Sequence, residues 1–288
     1  MIDPVILQQV HKIELQVRRL MQSLAAGDVR SKVRGIGFEL NQIREYQHGD
    51  DIRFIDWKGS ARSGKMLIKE CFEEQSRTIV VIIDGSATEF YGSQEHLKFS
   101  VMAQAASALA LAGVLHKDRV SLVVATDQRN FIIPAKTGRK AVYAMIEKLF
   151  ETKQSQQRPV VKNVFKSLVE KFKKDALVFI LSDFIDQSWE QEIKKVSRLF
   201  DIVAIRCLDK NETSSFLFGP LAVADMDGGT SIQLTPAQLQ DFQEDFARRL
   251  DTQKKLFSTY QVACLDIQSN YNFIDDMIVF LKKRLKRR

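Results

Sequence analysis

Six consecutive apolar or β-branched residues at 78–83, TIVVII, end abruptly at Asp84. A run that short and continuous suits a strand covered on both faces. Parallel sheets contain such strands, because their crossovers lay helices on each side. A second run at 176–181, ALVFIL, ends at Ser182 and Asp183. Around these two runs the periods alternate. Strand-like stretches at 119–125, 131–134, 201–208 and 262–267 interleave with helical ones at 94–115, 139–150, 161–172, 187–199, 237–260 and 274–285. A weaker hairpin pattern falls at 217–223 and 231–234. The alternation predicts an α/β fold with a doubly wound, mostly parallel sheet flanked by helices.

The first quarter of the chain reads differently. Ile6, Val10, Ile13, Val17, Leu20 and Leu24 recur at helical spacing behind Asp3-Pro4, so residues 4–23 predict an amphipathic helix. Residues 25–37 read as a basic, glycine-bearing loop. Strands at 53–58 and 66–72, with a turn at 63–65, predict a small antiparallel β element. These readings divide the chain into residues 1–76 and 77–288. Arg44, Glu45, Asp50, Asp51, Arg53, Asp56 and Arg62 are spaced to pair in a buried ion network. Such a network fixes geometry or docks a partner more readily than it performs acid–base chemistry.

Three widely separated cysteines (Cys71, Cys207, Cys264) and four scattered histidines offer neither a disulfide framework nor zinc spacing. No basic leader precedes an apolar core at the N-terminus, and no uninterrupted apolar stretch reaches bilayer length. The expectation is a soluble cytoplasmic protein that retains the option of peripheral contact with a membrane complex. The net charge of +7 is spread along the chain, so it permits an acidic partner without requiring nucleic acid.

Asp84, Ser86 and Thr88 follow the first apolar run at alternate positions. The C-terminal edge of a parallel sheet is where such folds gather ligands. A carboxylate and two hydroxyls are hard oxygen donors, suited to Mg2+ and also to Mn2+ or Ca2+. Asp183 ends its own strand as Asp84 does, and Thr137 stands in a loop ahead of a helix, with Thr126 as its rival. If both strands deliver their ends to one edge, Asp84, Ser86, Thr88, Thr137 and Asp183 converge on one cation. They leave room for water and for a partner's acidic side chain. A polar turn at a strand end is the plain alternative. No Ser/His/Asp arrangement and no Walker motif accompanies these residues. Two further readings stay open: a metal-dependent phosphoester hydrolase using Asp84 and Asp183, and a nucleic-acid-associated protein using the basic residues at 30–34 or 282–288.

The stretch Asp84-Gly85-Ser86-Ala87-Thr88 resembles the metal-ion-dependent adhesion motif of von Willebrand factor type A domains, Asp-x-Ser-x-Ser, with Thr88 keeping the last hydroxyl. The resemblance implies that Thr137 is the motif's separate threonine and Asp183 its second aspartate. Upstream, Gly35-x-Gly37-Phe38-Glu39, Arg44-Glu45-Tyr46, Gly49-Asp50-Asp51-x-Arg53-x-Ile55-Asp56-Trp57 and Ala61-Arg62 are similar to the signature of the bacterial DUF58 family. Together the two resemblances cover the chain from about Gly35 onward. They imply a MoxR-type AAA+ ATPase as partner and chaperone-like maturation as the setting. The functional reading is a non-enzymatic adaptor that presents a divalent-metal face to an acidic residue on a partner or client.

Overall fold

The computed structural model describes residues 13–15, 39–72, 77–90, 92, 97–126, 130–152, 159–174, 176–209, 221–224, 231–268 and 273–286. The helix expected over 4–23 is described only at 13–15, which are helical, and the basic loop at 25–37 lies outside the described residues. The chain separates into two units, one of residues 23–76 and one of residues 1–22 with 77–288.

In the smaller unit, β1 (Glu39–Glu45) pairs antiparallel with β2 (Leu67–Phe72). The small antiparallel element is therefore present, but its expected strand at 53–58 is not. Ile52–Phe54 forms a 3-10 turn capped by Asp51, whose side chain accepts from the Arg53 N–H. Ile55 alone bridges to Ile68, and α1 (Trp57–Ser63) follows at once. Gly64 closes that helix in the left-handed region, at φ 69. Local capping here overrides a short alternating pattern.

Of the charges expected to pair in an ion network, Glu45, Asp50, Asp51 and Asp56 each meet a cation within this unit. Arg44 holds Asp50 through two bonds of 2.7 and 2.8 Å at a half-buried position. The bonded guanidinium keeps the Asp50 carboxyl down at about 2. Gly49, at φ 105, permits the turn that brings Asp50 back to Arg44 and to the Gln47 N–H. Arg53–Asp51, Lys65–Glu45 and Lys69–Asp56 are more exposed pairs, of little net worth in water.

The larger unit is built on a six-stranded sheet. Its strands are β3 (Thr78–Asp84), β4 (Arg119–Ala125), β5 (Phe131–Lys136), β6 (Leu177–Ser182), β7 (Asp201–Leu208) and β10 (Ala263–Gln268), in the order β10-β7-β6-β3-β4-β5. All neighbours are parallel except β5, which runs antiparallel to β4. The hairpin of β8 (Leu221–Ala224) and β9 (Ser231–Leu234) stands apart from it. The helices are α2 (Lys98–Leu115), α3 (Arg139–Phe150), α4 (Val161–Lys171), α5 (Gln187–Val196), α6 (Pro236–Thr259) and α7 (Phe273–Lys286).

Alternate residues of β3 feed two cores. Ile79, Val81 and Ile83 pack with α2, α3 and α7, and Val80 and Ile82 pack with α4, α5 and α6. This is the doubly wound α/β arrangement, and it explains why the strands read as continuous apolar runs. Helix α2 has the length and composition to cross a membrane, with 18 residues at mean hydropathy 1.4, yet 72% of that window is buried inside the protein. Gly113 lets it approach closely, since a Cβ there would lie 2.8 Å from Ile79 Cδ1. Ile13 belongs to the same core, and Glu14 accepts a hydrogen bond from the Tyr143 hydroxyl, so these residues join the larger unit.

Candidate metal centre

Parallel register brings the ends of β3 and β6 to one edge. Ile83 pairs with Leu181, so Asp84 stands opposite Ser182, and Asp183 follows one residue on. Three carboxylates then meet. Oxygens of Asp84, Glu89 and Asp183 all lie within 4.8 Å of one another, and all three residues are buried. Glu89 arrives on the 3-10 turn Ala87–Phe90 that directly follows Ser86.

Each carboxylate is held in place. Asp84 accepts from the Ser86 N–H at 2.9 Å and from the Ser182 hydroxyl at 2.7 Å. Asp183 accepts from the Ile185 N–H at 2.9 Å, and its own N–H donates to Glu89 Oε1 at 2.7 Å. The hydroxyls of Ser86 and Thr88 are 3.0 Å apart. Lys98, in the first turn of α2, donates from Nζ to Asp183 Oδ2 at 3.0 Å, and both side chains are almost completely buried. Burial and the neighbouring Asp183 charge push the Asp84 carboxyl up to about 6. The same two causes, burial first, push Glu89 well above the usual carboxylate range.

A cavity of about 10 Å³ opens between Asp84, Ser86, Thr88 and Asp183. That is room for about one water-sized sphere. Pro159, Asp186 and Trp189 close its other side. Two buried polar atoms among the described residues have no hydrogen-bond partner, Glu89 Oε2 and Trp189 Nε1. Both belong to this site: Glu89 to the acidic cluster and Trp189 to the cavity wall. The orphaned Glu89 Oε2 is an acceptor, and an all-oxygen donor set around a water-sized space suits a hard divalent cation, whereas the Trp189 N–H is a donor that calls for an acceptor such as a water oxygen. The residues present therefore fit such an ion.

The loop that carries Asp183 is braced from behind. Phe184 adopts φ 54, unusual for a bulky residue and costly by about 1–2 kcal/mol. Its N–H donates to the Ser182 hydroxyl, and its carbonyl accepts from Gln253 Nε2 of α6 at 2.8 Å. Arg249 of the same helix donates to the Ile185 carbonyl. Gln253 also accepts from Arg206, a buried residue that forks onto Asp266 of β10. The Phe184 ring meets Trp189 and Phe257 edge to face.

Of the five residues expected to converge, the structure brings together Asp84, Ser86, Thr88 and Asp183. Thr137 is not among them. Because β5 runs antiparallel, Lys136 pairs with Val120 at the start of β4, whereas Asp84 pairs with Ala125 at its end. Thr137 is thus exposed at the opposite edge of the sheet, roughly 15 Å or more away along the strands. Thr126 stands at the correct edge, beside Gly85. Sequence reasoning missed Glu89, Ser182, Lys98 and Trp189. One signal was available, since Lys98 is a cation heading an alanine-rich helix with no other charged residue. In the smaller unit, Tyr46, Arg53 and Trp57 border an open cavity of about 530 Å³ together with Ile52, Ile55 and Met66. Ile52, Trp57 and Met66 are more than half exposed.

Comparison with known proteins places these features in context. A family model described as "Protein of unknown function DUF58" matches residues 42–256. Uncharacterized proteins of Mycobacterium bovis and Mycobacterium tuberculosis are 21% identical over 287 residues, covering 98% of this chain and 90% of theirs. Among solved structures, the conserved hypothetical protein BatB from Bacteroides thetaiotaomicron aligns with TM-score 0.46 at 9% identity, over 73% of this chain and 100% of its own. The SpRpn10 VWA domain aligns with TM-score 0.39 at 11% identity, over 70% of this chain and 94% of its own.

Proposed function

We propose that this chain, which belongs to the DUF58 family, is a non-enzymatic adaptor that binds a partner through a divalent cation at the edge of its larger sheet. One observation carries the reading: the buried carboxylates of Asp84 and Asp183 and two hydroxyls line a cavity the size of one water, and the buried Glu89 carboxylate lies within 4.8 Å of both acids. Asp84, Ser86, Thr88 and Asp183 are the residues that would hold the ion, with Glu89 beside them. Mg2+ is the first choice for so compact a set of oxygens, and Mn2+ or Ca2+ the substitutes. When bound, the ion supplies positive charge that offsets the buried carboxylates and attracts an acidic side chain of a partner or client. Ser182 and the loop N–H groups fix the carboxylates in direction, while Pro159 and Trp189 limit the space for water.

The partner proposed is a MoxR-type AAA+ ATPase in the cytoplasm, acting with this chain in maturation of a client. The sequence signature at 35–62 supports that choice. The open aromatic cavity of the smaller unit supports protein contact there, since exposed Trp57, Met66 and Arg53 with half-buried Tyr46 are of the residue types that favour interfaces. Co-precipitation of the chain with such an ATPase, in Mg2+ and in EDTA, tests the proposal. Capture by the wild type in Mg2+ alone, and none by Asp84→Ala, is the expected pattern. Equal capture in all conditions rejects it.

A further inference from the structure

The acidic cluster already has a cation of its own. Lys98 Nζ lies 3.0 Å from Asp183 Oδ2, with the two side chains 1% and 3% exposed. A lysine so deep is uncommon, because burying its charge needs a close and well-directed counter-charge. Lys98 heads α2, whose other buried residues are apolar apart from Ser107, so packing alone does not call for a charge at this point. The groups facing it are acidic: Asp183 directly, with Glu89 as a second attractive neighbour. The cavity lined by Asp84, Ser86, Thr88 and Asp183 lies on the same cluster. Trp189, fully buried on the wall of that cavity, keeps an indole N–H with no acceptor among the described residues.

We infer that Lys98 is a tethered counter-cation of this site, holding Asp183 in place without a divalent ion and lowering the site's affinity for one. The inference rests on the metal reading above and specifies how that site is tuned. The physical basis is simple. A divalent ion drawn by Asp84 and Asp183 meets a fixed positive charge bonded to one of them, in a water-poor setting where charge interactions are little screened. Lys98 also takes one lone pair of Asp183 Oδ2 and draws charge from it, which makes that oxygen a poorer donor to a divalent ion. The arrangement gives a folded site in the ion-free protein and reversible rather than permanent loading. Partner binding governed by such a site responds to the available concentration of the divalent ion.

Replacing Lys98 by a neutral side chain of similar length should tighten divalent binding. The probe is Mn2+, with free ion counted by its paramagnetic resonance signal and thermal stability measured in parallel in EDTA and in Mn2+. Relative to the wild type, Lys98→Met should bind Mn2+ at least about tenfold more tightly. Lys98→Arg keeps the charge and should stay within about threefold of the wild type. Lys98→Met should also melt lower than the wild type in EDTA and show the larger rise on adding Mn2+, because Asp183 has lost its partner. If Lys98→Met does not fold even with Mn2+, Glu89→Gln/Lys98→Met against Glu89→Gln decides, since the pair of changes removes one charge of each sign. The double variant should then be the tighter binder of the two. Binding by Lys98→Met, or in that case by the double variant, that is no tighter than its reference overturns the inference while leaving the metal reading intact. Absence of Mn2+ binding by every folded protein in the series overturns both.

Discussion

Asp84 sets up a direct test of how much this site costs the fold. Its carboxyl is raised from the ordinary 3.8 to about 6, chiefly by burial and secondly by the charge of Asp183. A rise of that size corresponds to about 3 kcal/mol between the two protonation states. The sign follows from proton binding. The folded chain holds the Asp84 proton more tightly than the unfolded chain, so this group's contribution is most favourable below pH 3.8. It is lost as pH rises toward 6, and above 6 the full penalty applies. Asp84→Asn removes the titration but keeps an oxygen to accept from the Ser86 N–H, and Ser182 Oγ has the capacity to accept from the new amide. In EDTA at pH 7.5, Asp84→Asn should therefore be about 2–3 kcal/mol more stable than the wild type to urea. At pH 4.5 the difference should shrink to about 1 kcal/mol. Saturating Mg2+ should stabilise only the wild type and narrow the gap from the other side. An Asp84→Asn protein less stable than the wild type at pH 7.5 in EDTA, or a gap unchanged by pH, would refute the burial argument.

Three other outcomes follow from the same geometry. Gln253→Leu removes the bonds to the Phe184 carbonyl, Glu190 and Arg206, so it should cost about 3 kcal/mol and speed hydrogen exchange at residues 183–186. Gly85→Ala places a Cβ 2.8 Å from the Ala125 carbonyl oxygen, a backbone atom that cannot easily retreat, and should lower stability by about 1–3 kcal/mol in chemical denaturation. Glu89→Ala leaves the Asp183 N–H without its acceptor and opens a void, for a loss of about 3 kcal/mol, whereas Glu89→Gln keeps an acceptor oxygen and, because burial disfavours the Glu89 charge as it does that of Asp84, should be more stable than the wild type at pH 7.5 in EDTA in the same assay.

The exposed groove of the smaller unit contrasts with this buried centre. Trp57 stands out in solvent, while Trp189 is fully enclosed beside the cavity. The two tryptophans therefore occupy opposite environments, one open to solvent and one enclosed on the wall of the cavity.

The amino-acid sequence by itself determined the sheet. Runs such as TIVVII and ALVFIL are apolar at every position, and only a strand covered on both faces makes use of that. It also placed Asp84 and Asp183 at strand ends, because each apolar run stops at an acidic edge. The five residues between β4 and β5 are too few for a parallel crossover, so the two strands form an antiparallel pair, and that single reversal carries Thr137 to the far edge. The segment at 53–58 alternates like a strand over too few residues to outweigh the Asp51 cap and the glycine that closes α1. Where Glu89 and Lys98 meet was decided by tertiary structure. Their charges gain meaning only when a turn after β3, the head of α2 and the loop after β6 meet in a space from which water has been removed.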